Sequence, residues 1–301
     1  MQNAHQSQIS AINILSFDIE EWFMLEDTRV FPAGEWTSFA PRLQNNTLRV
    51  LEVLDGQQTK GVFYFLGWVA EHYPELVKEV HAAGHEIGYH TYYHHNVDMF
   101  TPEAFESDLA RGLDLLTRIT GSRPTLFRAP NFSLHSGNLW AIPILLRNGI
   151  TVSSSLRDLS GPSGITYPST PFRWEYRDQH LWEFPLASGK IGPLRLHYAG
   201  SGYFRLLPDC IIEHLTEKSS YNLFYFHPRD FDPNPPLSPK LSPLRNLKNS
   251  FRTRSAISRL QQLIVRHKFI TMRQALELLN TQGLHFSKLK LPVIQREEIF
   301  Y

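Results

Sequence analysis

Residues 84–95 read Gly84-His85-Glu86-Ile87-Gly88-Tyr89-His90-Thr91-Tyr92-Tyr93-His94-His95. Gly84 can end a preceding helix by taking a positive φ angle, and a short strand is predicted from there to His90. His90 and His94 are four residues apart where the chain turns after that strand. On a helical turn, residues i and i+4 share a face, so both imidazoles can reach one metal ion. The stretch therefore predicts a metal site at the end of a strand.

Two carboxylates follow another predicted strand near the N-terminus. The apolar run from Ala11 to Phe17 is closed by Asp18 and Glu20, whose side chains face one side because strand side chains alternate. Histidines and carboxylates at the ends of buried strands are the arrangement expected of an α/β barrel. A carboxylate as third ligand and an open position for water would complete a catalytic zinc-type site.

The histidine stretch resembles a known family. His90-Thr91-Tyr92-Tyr93-His94 is similar to the H-[S/T]-x-x-H motif of the polysaccharide deacetylases, also called carbohydrate esterase family 4 or the NodB-homology group. The resemblance runs from about Ile12 to Leu279. It implies an α/β fold, a distorted (β/α) barrel of seven or eight parallel strands. It also implies a metal-dependent hydrolase, with zinc as the expected ion, that removes an N-acetyl group from an amino sugar in a glycan or glycan precursor.

The first family motif, T-F-D-D, has a base and then a metal-binding aspartate. Here the corresponding run is Ser16-Phe17-Asp18-Ile19-Glu20. The resemblance gives Asp18 the role of base, and Ile19 stands where the ligand should be. Glu20, or Asp18 itself, is then the carboxylate ligand beside His90 and His94. The D-x-E form, like the run from Gly200 to Pro208, resembles a branch of the family associated with exopolysaccharide synthesis and export.

Two further motifs supply the remaining catalytic roles. Arg128-Ala129-Pro130 resembles the family's R-x-P motif, whose arginine orients the catalytic carboxylate. His227, after an apolar run from Asn222 to Phe226, matches the histidine that protonates the leaving amine. We expect Tyr92, Asn131 and Trp22 to contact the substrate. Trp22 opens an aromatic-rich insertion, residues 22–41, that either caps the barrel mouth or stacks on sugar rings.

Ser153 is the main departure from the family. Relatives commonly have D-S-S where this chain has Ser153-Ser154-Ser155, and that aspartate pairs with the acid histidine. Serine carries no charge to stabilise a protonated imidazole. We therefore expect another carboxylate to contact His227, and the candidates are Asp230, Asp232 and Glu183.

The rest of the chain predicts one domain over residues 1–301, with a core over about 12–279 and a C-terminal extension over about 234–301. Helices are expected over Leu43–Leu54, Ala70–Ala83, Pro102–Thr120, Trp140–Arg147, Phe251–Val265 and Met272–Leu279. Loops are expected over Leu159–Arg177 and Asn234–Leu244. Lys268–Ile270 is a candidate short edge strand.

Composition narrows the class of protein. A net charge near +1 and 42% hydrophobic residues describe an ordinary globular chain. They give no reason to expect binding to nucleic acid or a strong electrostatic attraction to anionic membranes. The single cysteine, Cys210, excludes an intramolecular disulfide. Residues 1–10 lack the basic start and apolar core of a signal peptide, and no run of about 18 apolar residues could span a membrane. We therefore expect a cytoplasmic protein, whose oligomeric state the sequence does not indicate.

Two alternative functions stay open. One is an amidohydrolase of the same fold that acts on a formyl or ureido group of a small molecule. The other is a sugar-binding relative that lost catalysis with the changes at Ile19 and Ser153. No G-x-S-x-G, G-x-G-x-x-G or P-loop motif points to a serine hydrolase or a nucleotide-binding fold.

Overall fold

The protein is built around one sheet of nine strands. A computed structural model describes residues 11–24, 30–157, 167–281 and 287–291. The strands are β1 (Ile12–Ile19), β2 (Val62–Phe65), β3 (Glu86–Tyr89), β4 (Leu126–Phe127), β5 (Val152–Ser153), β6 (Phe172–Tyr176), β7 (Gln179–Glu183), β8 (Gly189–Ile191), β9 (Leu194–Leu196), β10 (Tyr221–Phe226) and β11 (Ser287–Lys290). The nine-stranded sheet has the order β10-β1-β2-β3-β4-β5-β7-β6-β11, and β8 pairs only with β9.

Seven neighbouring strands, from β10 to β7, run parallel. The predicted α/β fold is therefore confirmed, and the parallel strands number seven. Among the described residues no strand ladder joins β10 to the far side of the sheet, so the barrel is not closed by hydrogen bonds between strands. All eight residues of β1 are buried, as expected of a parallel strand covered on both faces.

Ten helices surround the sheet in the described part of the chain. They are α1 (Leu43–Gly56), α2 (Gly67–His72), α3 (Pro74–Ala82), α4 (Pro102–Thr120), α5 (Ala141–Arg147), α6 (Ser201–Leu206), α7 (Asp209–Lys218), α8 (Pro243–Ser250), α9 (Thr253–Arg266) and α10 (Met272–Thr281). The predicted limits of α4 are confirmed. Thr101 Oγ1 accepts the Ala104 N–H at 3.2 Å, and Gly121 ends the helix with a φ of 76°.

Several sequence predictions about the elements were wrong. The helix predicted over 70–83 is two helices, α2 and α3, because Pro74 starts a new helix and Tyr73 lies outside both. The loop predicted over 159–177 contains β6, which pairs antiparallel with β7, while residues 158–166 lie outside the described part. The loop predicted over 234–244 ends where α8 begins, and α8 itself was not predicted.

The connection between α9 and α10 also differs from its prediction. Residues 268–270 form no strand, yet they are fixed to the beginning of β1. The Ile270 N–H donates to the Asn13 carbonyl at 2.9 Å, and Asn13 Nδ2 donates to the Lys268 carbonyl at 3.0 Å. With α9 packed against α1 and the turn at residues 228–231, these contacts join the C-terminal extension to the central sheet.

Candidate active site

The C-terminal ends of β1, β3, β4 and β10 meet at one place and bring five predicted site residues together. These residues are Asp18, Glu20, His90, Arg128 and His227. Their exposed fractions lie between 0 and 9%. Parallel strands end at the same edge of the sheet, so residues up to 209 positions apart in sequence become neighbours.

Three side chains at this edge form a cluster suited to a metal ion. One ligand atom from each of Glu20, His90 and His94 lies within 4.8 Å of the other two. His94 Nε2 is 2.8 Å from Glu20 Oε2. The pair of histidines and one carboxylate is a set that zinc commonly takes in catalytic sites. These three side chains are the ones that the sequence analysis proposed as ligands. The alternative carboxylate, Asp18, has its Oδ2 atom 3.9 Å from His90 Nε2.

The His90 side chain is held in the orientation that a ligand needs. Its Nδ1 atom lies 2.7 Å from the carbonyl oxygen of Arg128, which can only accept a hydrogen bond. The proton is therefore on Nδ1, and Nε2 keeps a lone pair. That Nε2 atom is buried with no hydrogen-bond partner among the described residues. Burial also lowers the pKa of His90 to about 4, which keeps the imidazole neutral. The residues present thus fit a divalent cation.

The turn that carries the two histidines is not helical, contrary to the sequence analysis. Thr91 and His94 both have left-handed backbone conformations, with φ angles of 60° and 63°. Such φ angles are uncommon for residues other than glycine and asparagine, above all for a β-branched threonine. The bend brings the ring centroids of His90 and His94 to 5.2 Å. The i, i+4 spacing therefore places the two rings together by a different backbone path from the predicted one.

Arg128 is fully buried and fixes Asp18. Its Nη1 donates to Asp18 Oδ1 at 2.8 Å, and its Nη2 donates to the hydroxyl groups of Ser16 and Ser154, each at 2.9 Å. The guanidinium lies 4.2 Å from the centre of the Tyr64 ring. Burial by itself would raise the pKa of Asp18, but the Arg128 charge and the nearby imidazoles hold that pKa below its usual value. Asp18 is therefore ionised and aimed at the cluster.

His227 approaches the cluster from β10. Its Nε2 atom lies 3.3 Å from Glu20 Oε1, and its Nδ1 atom lies 3.1 Å from Asp230 Oδ2. Asp230 Oδ2 also accepts the backbone N–H of His227 at 2.8 Å. Of the three acids predicted to replace the missing aspartate, Asp230 is the one in contact with His227.

The other two candidate acids have different partners. Asp232 pairs with Arg42, whose Nη2 donates to Oδ1 at 2.8 Å. Glu183 Oε1 accepts the backbone N–H groups of Ser155 and Leu156, at 2.6 and 3.0 Å. Ser153 is the register neighbour of Glu183 in the sheet, and its hydroxyl donates to Ser155 Oγ at 2.8 Å. Ser153 and Glu183 thus belong to a buried polar group of their own.

Three residues that contact Glu20 or Asp230 at the site were missed by sequence reasoning. Arg229 donates to Glu20 Oε1, and this guanidinium is the main reason that the pKa of Glu20 lies well below its usual value although burial opposes the shift. Arg205 Nε and Ser201 Oγ contact Asp230 Oδ1, at 3.2 and 2.9 Å. Both α6 residues lie in the Gly200–Pro208 run and Arg229 follows His227 by two positions, but only the fold shows what they touch.

The predicted substrate contacts fall in three different settings. Tyr92 is buried, its hydroxyl donates to Glu71, and its backbone N–H donates to Asp108 Oδ2 at 3.1 Å. Its hydroxyl and its N–H therefore both have partners within the protein, and the predicted substrate contact of Tyr92 stays a prediction. Trp22 is half-buried and donates its indole N–H to the Ala40 carbonyl at 3.2 Å. Asn131 is exposed, with a φ of 56°.

Two exposed or half-exposed groups mark the rim near the histidine turn. Tyr93 is 37% exposed, and its ring centroid lies 6.0 Å from that of Trp36, in the aromatic insertion. The second group is the exposed side chain of Asn131, whose Nδ2 donates to Asn96 Oδ1 at 2.8 Å. Aromatic faces and amide groups are the side chains that sugars commonly contact.

Across the residues described, none of the helices combines the length and apolar character that a membrane span requires.

Two family models match this chain, one after the other. Residues 33–142 match the model described as polysaccharide deacetylase, and residues 152–277 match a domain of unknown function, DUF3473. The first region contains His90, His94 and Arg128, and the second contains His227 and Asp230. The candidate site is therefore assembled from both matched regions together with β1, which precedes them.

Relatives and solved structures agree with this match. A peptidoglycan-N-acetylglucosamine deacetylase of Bacillus cereus is 31% identical over 96 residues, which are 32% of this chain and 35% of that protein. A peptidoglycan deacetylase of Helicobacter pylori is 30% identical over 110 residues, 36% of each chain. The chain thus spans about a third of the length of these relatives. A Mycobacterium smegmatis structure, provisionally described as a polysaccharide deacetylase, covers 95% of both chains with a TM-score of 0.63 and 18% identity, which shows a shared fold.

Proposed function

We propose that this chain, whose residues 33–142 match the polysaccharide deacetylase family model, removes an N-acetyl group from an amino sugar of a glycan or glycan precursor. The observation that carries the proposal is the buried cluster of Glu20, His90 and His94 beside the Asp18–Arg128 ion pair. We propose that these three side chains hold one divalent ion, with zinc the best fit to the donor set. When bound, such an ion supplies Lewis acidity and lowers the pKa of a coordinated water.

Asp18 is the proposed base. Hydrolysis of an amide needs a nucleophilic water, and Asp18 is ionised, buried and held by Arg128 within reach of the cluster. A carboxylate in that state can take the proton of the attacking water. Hydrogen bonds to Ser16 and Ser154 hold the Arg128 side chain, which in turn keeps the Asp18 carboxylate in one orientation. The carboxylate therefore loses little conformational freedom when it reaches the reactive geometry.

His227 is the proposed acid. An amine cannot leave as its anion, so the nitrogen of the acetamide must be protonated as the C–N bond breaks. His227 Nε2 faces the cluster near Glu20, while Asp18 approaches from the side of His90. Base and acid thus lie next to different members of the cluster, and we propose that one serves the attacking water and the other the departing amine. Asp230 fixes the imidazole through Nδ1 and can stabilise its protonated form.

The proposals for the substrate and for the cellular compartment are less specific than the proposal for the reaction. The two curated relatives described above are peptidoglycan deacetylases, and we infer an N-acetylated sugar as substrate from that likeness. The D-x-E form of the first motif and the match to the second family model support a glycan of the exopolysaccharide type. A cytoplasmic location stays a prediction, which fractionation of the producing cell would test.

The test combines metal content with product release. Purified protein is measured for bound metal by elemental analysis and then screened for acetate release from N-acetylglucosamine oligomers. N-formyl and ureido compounds are screened in parallel. We expect one divalent ion per chain and acetate release, both lost in the variant His90→Ala/His94→Ala. A matched control, His72→Ala, changes a histidine that stacks on Trp68 away from the cluster.

The two alternative functions predict different results in the same experiment. Formate or ammonia release without acetate release would identify the small-molecule amidohydrolase. Glycan binding with no product would identify the sugar-binding relative that has lost catalysis. Unchanged metal content in His90→Ala/His94→Ala would reject the proposed ligand cluster.

A further inference from the structure

Five large apolar side chains are exposed on α6 and in and just after α8. In α8 and the residue after it, Leu244 is 76%, Leu247 60% and Phe251 40% exposed. In α6, Leu206 is 59% and Tyr203 43% exposed. We call these five residues the α6–α8 face. Isolated exposed apolar residues are common, but a group of this size on neighbouring elements points to an interaction.

The two helices are held side by side by a buried arginine. Arg205, in α6, donates from Nη1 to the carbonyl groups of Lys248, Asn249 and Phe251, at 3.2, 3.3 and 2.7 Å. These carbonyls lie at the C-terminal end of α8, where a cation is favoured by the helix dipole. Leu206 directly follows Arg205 and is the last residue of α6, so the C-terminal end of α6 lies near the C-terminal end of α8.

No residue of α8 itself is buried, although the helix is amphipathic. Leu244 and Leu247 are three residues apart and therefore lie on one side of the helix. A helix with this pattern normally turns its apolar side toward a core. Here that side faces solvent, so no packing contact within the described part of the chain accounts for the apolar side of α8.

The surrounding segment has an unusual charge distribution. Residues 233–276 contain nine of the chain's 30 basic residues and none of its 29 acidic residues. Four of the nine are Arg245, Lys248, Arg252 and Arg254, on and just after α8. Lys248 and Arg252 are exposed and form no ion pair with the described residues. A protein that is almost neutral as a whole thus concentrates positive charge next to its exposed leucines.

We propose that the α6–α8 face binds the surface of a membrane that contains anionic lipids. Exposed leucine and phenylalanine side chains can enter the boundary between head groups and acyl chains, while lysine and arginine attract the negative lipids. A second copy of this chain would bring two positive surfaces together, which disfavours a dimer through this face. A nucleic acid or acidic polysaccharide would match the charge but would leave the three apolar side chains of Leu244, Leu247 and Phe251 without a role.

The test measures sedimentation with lipid vesicles. Wild-type protein is mixed with vesicles of phosphatidylcholine, with and without phosphatidylglycerol, at low and high salt. We expect sedimentation with the anionic vesicles at low salt, with an apparent affinity at least tenfold lower for phosphatidylcholine alone. High salt should weaken the binding because the electrostatic part is screened.

Two variants and one control distinguish binding through the α6–α8 face from non-specific adsorption to vesicles. Leu244→Ser/Leu247→Ser/Phe251→Ser removes the apolar groups, and Lys248→Glu/Arg252→Glu reverses the charge. Each should lower the affinity for anionic vesicles at least tenfold. Val265→Ser, in the last turn of α9, removes another apolar side chain that is 65% exposed and should bind like the wild type. Since all the substituted residues are exposed, the melting temperature should change little.

Three results would overturn the proposal. In the first, the wild type stays in solution with both kinds of vesicle. In the second, the serine variant and the glutamate variant both bind vesicles as tightly as the wild type. In the third, the wild type forms a dimer in solution that the triple serine variant abolishes, and neither protein binds vesicles. Vesicle binding is measured without substrate, so its outcome is independent of the proposed deacetylase activity.

Discussion

Nδ1 of His227 and Oδ2 of Asp230 lie 3.1 Å apart, and the same oxygen accepts the His227 backbone N–H at 2.8 Å. The two residues are three positions apart: His227 follows β10 directly and caps a short 3-10 turn, residues 228–231, that contains Asp230. The carboxylate that contacts the candidate acid thus comes from the acid's own turn. This position is independent of Ser153, which lies on β5, four strands from β1 and five strands from β10 in the order of the sheet.

The first prediction concerns Asp230. Asp230→Asn keeps the shape of the side chain but removes the charge that stabilises a protonated His227. Acetate release should fall ~10- to 100-fold, less than the ~10²–10⁴-fold that a general acid itself typically contributes, because His227 is still present. The measurement is the steady-state rate of acetate release at pH 7. Asp232→Asn serves as the matched control, because Asp232 is also a buried acid of this segment but pairs with Arg42.

Ser153→Asp provides the opposite test of the same relationship. The new carboxyl group would lie beside Glu183, its register neighbour, so we expect no gain in rate and some loss of stability from two neighbouring buried acids. A rate that rises in Ser153→Asp, or that stays unchanged in Asp230→Asn, would show that Asp230 does not support the acid.

The second prediction concerns Arg205, which acts on the reaction through Asp230. Burial would raise the pKa of Asp230, and Arg205 is the first group that opposes this, with His227 next. Arg205→Met should lower kcat ~10-fold through a less firmly held Asp230, while KM changes less than twofold, because Arg205 is not expected to touch substrate. Arg205→Lys should recover part of the rate, since it restores the charge without the fork geometry.

A purely structural role for Arg205 makes a different prediction. Arg205 also holds the end of α8, so its loss will lower the melting temperature. If Arg205→Met loses activity only in proportion to unfolded protein, with kcat per folded molecule unchanged, Arg205 does not position the acid. Ser201→Ala, which removes the neutral partner of Asp230, should show a smaller loss in kcat than Arg205→Met.

The parts of the site that sequence could predict are those carried by local spacing. His90 and His94 were found because they are four residues apart after a strand, and Asp18 and Glu20 because alternate strand residues share a side. Arg229 and Arg205 were not assigned because their roles depend on contacts with Glu20 and Asp230, and the first of these joins residues 209 positions apart. A spacing pattern contains no information about such a contact.

The same division holds for the fold. Buried strands such as β1 and β10 were predicted, because a continuous apolar run is typical of a parallel strand. The strand β6 was missed because it lies in a polar, proline-containing stretch, and its pairing with β7 on one side and β11 on the other is not visible in that stretch. The helix α8 was missed because it buries none of its residues, so its sequence resembles a loop that begins with prolines.

The third prediction decides which carboxylate binds metal. Glu20→Gln should reduce the bound divalent metal at least tenfold, because Glu20 is the carboxylate in the cluster with His90 and His94. Asp18→Asn should keep the metal and lose acetate release ~100-fold or more, because it removes the base. Metal content by elemental analysis is the measurement, and a variant pair with the two results exchanged would make Asp18 the ligand.

The fourth prediction is a pH dependence set by Arg128. In the wild type, burial raises and the Arg128 charge lowers the pKa of Asp18, and the net shift is downward. In Arg128→Met the charge is gone, so the pKa of Asp18 should rise and the acidic limb of the pH–rate profile should move to higher pH. The variant should also be less stable by ~3 kcal/mol, because a buried carboxylate loses its partner.

The control for that shift is Arg157→Met, which removes an arginine that donates to the Asn131 carbonyl at 2.7 Å rather than to a carboxylate. Its acidic limb should stay where it is in the wild type. An acidic limb that is identical in the wild type and in Arg128→Met would mean that Asp18 is not the group whose ionisation limits the rate at low pH.

The fifth prediction concerns stability and Glu183. Burial raises the pKa of Glu183 to about 7 from an ordinary value of 4.5, although contacts with Ser153 and two backbone N–H groups oppose the shift. Between these two pH values the folded chain keeps a proton that the unfolded chain has lost. This contribution to stability is therefore complete below about pH 4.5 and is lost as the pH rises through 7, with a total of ~3 kcal/mol.

Glu183→Gln removes this titration while its side-chain oxygen can still accept the N–H groups of Ser155 and Leu156. Urea unfolding at pH 5 and pH 8 should therefore show a loss of stability across this range that is ~2 kcal/mol smaller in the variant than in the wild type. Glu103→Gln, on the exposed first turn of α4, is the matched control and should keep the wild-type dependence, because its carboxyl group is not buried. Equal pH dependence in all three proteins would mean that Glu183 is already ionised in the folded chain near neutral pH.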